Sequence, residues 1–342
     1  MKIKQTISFD DVLLVPQYSE VTSRTEITLS QEMKGVGKLN LPIISAPMDT
    51  VTEVDMAVSM HKAGGLGIIH RYNTIAEQCA MVAQVIEKGA TVGAAIGVTG
   101  DFVQRAQALR LIGVNLLCID VAHGHHSNVR YAIETVRRTL GDDTHIMAGN
   151  VATLSAFNDL ADWGANSIKV GIGGGSICST RIKTGHGVPT LQSVLECAKS
   201  DRDAYLVADC GMRTSGDIVK ALAAGADFVM LGSLLAAADE SPGVVWTRKE
   251  DGAKLKMYRG MASKEAQTDW RGSYSSIEGI SAYVRSIGPA SDVLEELEVG
   301  IRSGLSYSGA LSIREMQRSA LFIGQSSASQ HESSTHIRSR NA

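Results

Sequence analysis

The chain lacks the features that would bind it to a membrane, a disulfide scaffold or a nucleic acid. No apolar run approaches the roughly 20 residues that a bilayer-spanning helix needs, and the opening Met1-Lys2-Ile3-Lys4-Gln5 has no apolar core of the kind a secretory leader carries. Its 33 basic and 36 acidic residues leave a formal charge of −3, too even a balance to attract a polyanion. The 5 cysteines, Cys79, Cys118, Cys178, Cys197 and Cys210, are odd in number and include no Cys-x-x-Cys pair. That pattern argues against a disulfide framework and a structural zinc site, and leads us to expect a reduced, cytoplasmic protein. Proline is scarce, with 6 residues, while glycine is abundant, with 34. The expectation is therefore many tight turns and close backbone approaches, not low complexity.

Reading the glycines against the apolar runs exposes a repeat. Gly64, Gly89, Gly113, Gly141 and Gly164 each end an amphipathic segment and precede a short apolar run, at intervals of 23 to 28 residues. Gly225 follows after a longer gap that holds two further units. Glycine suits a helix C-terminus because it takes the left-handed conformation cheaply. The apolar runs, at 41–45, 66–69, 91–96, 116–120, 145–148, 167–170, 205–208 and 228–231, read as eight parallel strands buried on both faces. Between them, Thr74-Ile75-Ala76-Glu77 has a capping-box pattern, with Ile75, Cys79, Val82 and Ile86 on one helical face. Val129, Ile133, Val136 and Leu140 form a similar stripe, as do Ile218 and Leu222. Eight β/α units predict a TIM barrel, with a doubly wound sheet as the alternative.

After the eighth strand, residues 244–247 and 254–258 flank Glu250-Asp251-Gly252 and read as a hairpin. Residues 262–290 show little periodicity and suggest a mobile flap over the site. Residues 1–324 are then a single catalytic barrel, and 325–342 a polar tail expected to be disordered.

The segment with most chemical content is Gly171-Ile172-Gly173-Gly174-Gly175-Ser176-Ile177-Cys178-Ser179-Thr180-Arg181. Its glycines let backbone groups approach a ligand closely, and a thiol held there becomes a nucleophile if neighbouring donors or cations lower its pKa. Asp120 closes one strand and Asp209 follows another, which puts both carboxylates at the catalytic rim; on their own they also read as strand-end caps. The glycine run is a poor dinucleotide fingerprint, because no helix and no correctly spaced acidic residue follow it. His123, His125 and His126 have no carboxylate or cysteine at metal-ligand spacing. Cys79, Cys118, Cys197 and Cys210 read as packing residues.

Taken in order, these residues resemble the IMP dehydrogenase / GMP reductase family, from about Phe9 to Phe322. The cysteine loop carries the resemblance, although a proline usual at position 174 is glycine here. So do Ser45-Ala46-Pro47-Met48-Asp49, Asp120-Val121-Ala122-His123-Gly124, Gly149-Asn150-Val151, Ala208-Asp209, Leu231-Gly232-Ser233 and Tyr258-Arg259-Gly260-Met261. The resemblance implies a purine nucleoside monophosphate as substrate and a covalent thioimidate between Cys178 and C2 of its ring. It implies a phosphate held by Ser176, Gly211, Gly232, Ser233 and Tyr258, and a ribose held by Asp209. Ser45, Met48, Gly260 and Met261 complete the implied substrate set, and Asp120 and Asn150 face the nicotinamide. In members that need potassium, the carbonyls of Gly173, Gly175 and Cys178 would hold it. Glu278 would join Thr180 in deamination. A homotetramer without nucleic-acid or membrane partners is also implied.

Two reactions divide the family. Reduction of GMP to IMP and ammonia uses NADPH; oxidation of IMP to XMP uses NAD and a base that activates water. No regulatory insertion lies between residues 67–71 and 92–95, the segment from Gly260 to Gly279 is short, and the tyrosine of the dehydrogenase Arg-Tyr pair is missing from Trp270-Arg271-Gly272. These features favour GMP reductase. Ile68-Ile69-His70-Arg71, Asp120–His125 and Gly232–Leu235 look more like the dehydrogenase, in which Arg271 would activate water.

Overall fold

The structure, a computed structural model, describes residues 3–275 and 277–333. An N-terminal strand β1 (Val12–Leu14) precedes an antiparallel ribbon of β2 (Gln31–Met33) and β3 (Gly37–Leu39). Eight parallel strands follow: β4 (Ile43–Ser45), β5 (Leu66–Ile69), β6 (Val92–Ile96), β7 (Leu116–Asp120), β8 (His145–Val151), β9 (Ser167–Val170), β10 (Tyr205–Asp209) and β11 (Phe228–Leu231). They pair in sequence order, and β11 closes onto β4 through Val229 opposite Ile43 and Leu231 opposite Ser45. All eight expected strands are present, and the sheet is a closed barrel instead of an open doubly wound one.

Every glycine read as a helix stop is left-handed, from Gly64 at φ +84° to Gly225 at φ +115°. The barrel interior is filled by Ile44, Ile68, Ala95, Cys118, Met147, Val207, Phe228 and Met230, and the β2–β3 ribbon closes its lower end with Met33 and Leu39. A second apolar layer lies between the strands and the surrounding helices.

The helix after β5, α1 (Ile75–Glu87), has the expected capping box, Thr74 accepting from the Glu77 amide while Glu77 accepts from the Thr74 amide at 2.8 Å. Its buried face is offset from the expected one. Gln78, Val82 and Val85 face the core, whereas Ile86 is exposed. The reason is polar: the Gln78 amide donates to the carbonyls of His70 and Ala95 at 2.9 and 2.8 Å, and Arg105 donates to its oxygen at 2.8 Å. A glutamine that satisfies exposed strand-end carbonyls is as well placed in the interior as an apolar residue.

The expected hairpin forms from β12 (Trp246–Thr247) and β13 (Lys254–Arg259). A third strand, β14 (Ser281–Arg285), pairs with β13, and a helix, Lys264–Arg271, lies between them. The stretch read as an aperiodic flap thus has its own secondary structure. Two short elements separated by a loop are too brief to establish a period. Of the polar tail, Gln325 is tied to the N-terminal segment through Asp10 and Asp11, and Ser327–Glu332 is helical. The remainder of that tail, 334–342, lies outside the described residues. No helix among the described residues is long and apolar enough to cross a membrane.

Candidate active site

The C-terminal ends of the strands surround a cavity of about 550 Å³, large enough for a nucleotide-sized ligand. Its floor is set by how closely the strand ends approach. Gly171 follows β9 so tightly against β10 that a Cβ there would stand 2.0 Å from the Asp209 carbonyl oxygen. Gly232 leaves similar room, since a Cβ on it would lie 2.9 Å from the Tyr258 hydroxyl.

Cys178 is half-buried in the loop after β9 and lines the cavity. Its thiol donates to the Thr180 hydroxyl at 3.2 Å, and that hydroxyl donates to Glu278 Oε2 at 2.9 Å. Ninety-eight residues separate Thr180 and Glu278, and backbone pairing brings them together. Cys178 bridges Gly279 in antiparallel fashion, the Ser179 amide donates to the Glu278 carbonyl at 2.8 Å, and the Ile280 amide donates to the Ile177 carbonyl at 3.0 Å. The segment after the short helix is thereby zipped onto the cysteine loop.

On the floor, Lys169 projects from β9 between two carboxylates. Its ammonium contacts Asp120 and lies 3.2 Å from Asp209 Oδ2. Asn150 donates to the same Asp209 oxygen at 2.9 Å and to the Gly171 carbonyl at 2.8 Å. Burial opposes the Lys169 charge, but Asp120 and Asp209 more than offset it and hold its pKa well above the usual lysine value. In the sequence Lys169 reads as strand only. The available signal was a lysine inside an otherwise apolar strand buried on both faces.

Ser176 shares a hydrogen bond with the Tyr258 hydroxyl, whose pKa burial pushes up to about 12, so that the phenol stays neutral. Met48, Gly211, Ser233, Gly260 and Met261 also line the cavity, as do Gly173 and Gly175. Ser45 does not. It is fully buried at the end of β4 and accepts a hydrogen bond from Thr52 at 2.8 Å. Among the described residues, the histidines after β7 form no group that could hold a metal ion. His125 pairs with Asp159 at 2.7 Å, and His126 caps the next helix through the Asn128 amide at 3.0 Å.

The helix Lys264–Arg271 roofs the far side. Arg259 anchors it, pairing with Asp49 at 2.6 Å and Asp269 at 2.5 Å. Trp270 packs edge-on against Tyr72, with ring centroids 5.2 Å apart, and the Arg71 guanidinium lies 5.0 Å from the Tyr72 ring and 5.7 Å from Trp270. Arg271 stacks on the same tryptophan at 5.4 Å.

A thiol beside a hydroxyl–carboxylate pair, at the mouth of a closed barrel, is an arrangement for covalent chemistry on a ligand bound there. The family model for the IMP dehydrogenase / GMP reductase domain matches residues 6–336. The chain belongs to that family. It is a purine nucleotide oxidoreductase of the family's barrel type. An inosine-5′-monophosphate dehydrogenase of Nitrosopumilus maritimus is 34% identical, with 98% of this chain and 99% of the relative covered. A GMP reductase of Leishmania major is 31% identical, with 98% and 97% covered. Among solved structures, a cysteine-to-alanine variant of GMP reductase from Trypanosoma brucei, in complex with guanosine 5′-monophosphate, superimposes with a TM-score of 0.92, at 31% identity and 98% coverage of both chains. The alignments to the dehydrogenase and to the Leishmania reductase run over 474 and 480 positions, more than this chain's 342 residues. Both relatives therefore carry segments that have no counterpart here, and the missing segment does not separate the two activities.

Proposed function

We propose that the protein is a GMP reductase, converting GMP to IMP and ammonia with NADPH. The observation that carries this reading is the contiguous line from the Cys178 thiol through Thr180 to Glu278, at 3.2 and 2.9 Å. Cys178 gives its thiol proton through the Thr180 hydroxyl to Glu278, attacks C2 of the purine and forms the C–S bond. The C2–N bond then breaks, and the leaving amine takes a proton from the Thr180–Glu278 pair, because ammonia departs only when protonated. The resulting thioimidate accepts a hydride at C2, the C–S bond breaks, and the thiolate returns to Cys178. No water is consumed, so no residue has to activate one.

Asp209, fixed by Lys169 and Asn150, is the ribose anchor in this reading. Ser176, Gly211, Gly232, Ser233 and Tyr258 form the phosphate cradle, with Met48, Gly260 and Met261 around the base. NADPH, when bound, supplies the hydride. The region bounded by Asp120, Asn150, Arg71, Tyr72 and Trp270 fits a nicotinamide, since it offers aromatic faces and the buried Arg71 Nε, which has no hydrogen-bond partner among the described residues. A carboxamide oxygen would satisfy that donor.

The cysteine loop fits a resident potassium ion poorly. The Gly175 carbonyl already accepts from the Cys178 amide at 3.1 Å, and the Arg181 side chain occupies the space where a Cβ on Gly173 or Gly187 would go. A positive side chain is thus already packed against the loop, and no step runs through a cation. A homotetramer and a cytoplasmic location belong to the same reading, and analytical ultracentrifugation tests the assembly.

IMP dehydrogenase is the second reading. It is favoured by Arg271, which lines the same cavity and would there activate water to hydrolyse the thioimidate. The nicotinamide absorbance decides. Loss of NADPH on mixing with GMP supports the reductase, and growth of NADH from IMP and NAD overturns it.

A further inference from the structure

Cys210 is the one residue other than glycine, among those described, whose backbone is left-handed, at φ +76°. Side chains take that conformation reluctantly, and residues held in it gather where a site requires them. Cys210 directly follows Asp209 at the end of β10 and lines the cavity. Its sulfur fills space that the facing loop leaves empty. A Cβ on Gly174 would stand 3.0 Å from Cys210 Sγ and 2.5 Å from Thr190 Oγ1, and a Cβ on Gly171 would stand 3.1 Å from the same sulfur. Sγ and Thr190 Oγ1 are themselves 3.5 Å apart, within hydrogen-bond reach. Between the two cysteines sits Gly175, from whose Cβ position Cys178 Cβ is 3.4 Å away and Cys210 Cβ 3.9 Å. Burial, foremost, pushes the Cys210 thiol up to about 12, so it stays neutral and acts by packing instead of attack.

We propose that Cys210 is a positioning residue for the Cys178 loop, its sulfur filling from the neighbouring strand the volume that a side chain at position 174 would otherwise fill. Glycine at 174 frees the loop backbone, and the sulfur confines it from outside. Positions 174 and 210 are then coupled: a side chain at 174 would meet Thr190 Oγ1 at 2.5 Å and the Cys210 sulfur at 3.0 Å, so part of its collision depends on residue 210. The inference rests on Cys178 being the reacting thiol, not on which of the two reactions follows.

The experiment compares Cys210→Gly, Gly174→Ala and the double variant, with Cys210→Ala as a further control. Three readouts need no turnover: affinity for GMP and for IMP by calorimetry, the rate at which iodoacetamide labels Cys178 by peptide mass spectrometry, and the melting temperature. Cys210→Gly relieves the left-handed strain, so its melting temperature should hold or rise while nucleotide affinity falls about tenfold, the size expected for directly coupled neighbours. The labelling rate should change in parallel. Cys210→Ala should show the same loss of affinity with a lower melting temperature. Gly174→Ala alone should lose affinity through collision with both Thr190 Oγ1 and the Cys210 sulfur, and the double variant, relieved of the sulfur but not of Thr190, should lose less than the product of the two single losses. Affinity and labelling unchanged in Cys210→Gly, or losses that simply multiply in the double variant, would overturn the proposal. Failure of the reductase reading would leave these measurements unaffected.

Discussion

The ammonium of Lys169 stands 3.2 Å from Asp209 Oδ2 while also contacting Asp120, so one buried charge joins the two rim carboxylates. Asp120 and Asp209 end strands separated in the barrel by β8 and β9. Without the lysine they would face the cavity as two anions, in a site meant to receive a phosphate-bearing ligand.

Lys169→Met should therefore cost about 3–5 kcal/mol of folding stability, the usual result of removing one member of a buried ion pair. It should also weaken nucleotide binding, because Asp209 loses its orientation. Urea unfolding and calorimetric titration give the two numbers. Combined with Asp209→Ala, the losses should be strongly non-additive, whereas simple addition would mean that the contact has no energetic weight.

Cys178→Ser should abolish turnover and leave nucleotide binding and the melting temperature close to the parent values. The hydroxyl keeps the contact with Thr180 but is a far weaker nucleophile than a thiolate. A serine variant of near-normal rate would rule out covalent attack.

Glu278→Gln and Arg271→Ala separate the two chemistries. In the reductase, Glu278→Gln stops release of ammonia from GMP, and Arg271→Ala acts only through the roof helix, raising KM more than it lowers kcat. In the dehydrogenase, Arg271→Ala permits hydride transfer but stalls hydrolysis. Mass spectrometry after mixing that variant with IMP and NAD would then show an adduct on Cys178 and a burst of NADH.

The pH dependence of stability should carry the mark of His145 at the lower end of the barrel. Burial, opposed by the bond to Lys34, lowers its pKa to about 4. Its Nδ1–H donates to the Lys34 carbonyl at 2.7 Å, and its Nε2 accepts from Ser167. Unfolding returns the ring to about 6.5, so the unfolded chain binds more protons between those values. The contribution is complete above about pH 6.5 and is lost as pH falls toward 4, about 3 kcal/mol in all. Thermal melts across that range should show the loss, and His145→Gln should flatten it.

Barrel strands, helix stops and the cysteine loop were legible in the chain because each depends on local physics. Short apolar runs bury themselves, glycine accepts a left-handed φ, and a capping box satisfies its own amides. All eight strands and the Thr74 cap follow from residues within a few positions of one another. What only the folded chain decided involves distance. Glu278 reaches Thr180 because residues 278–280 pair with 177–179 across nearly a hundred positions. Lys169, hidden inside an apolar strand, acquires its role only when barrel closure sets Asp120 and Asp209 on either side of it. Ser45 carried a motif yet faces away from the cavity, and Gln78 displaced Ile86 from the core because strand-end carbonyls needed a donor. Cys210 and Gly174, too, lie 36 residues apart in the chain, and the approach of the Cys210 sulfur to the space beside Gly174 exists only where β9 and β10 lie side by side.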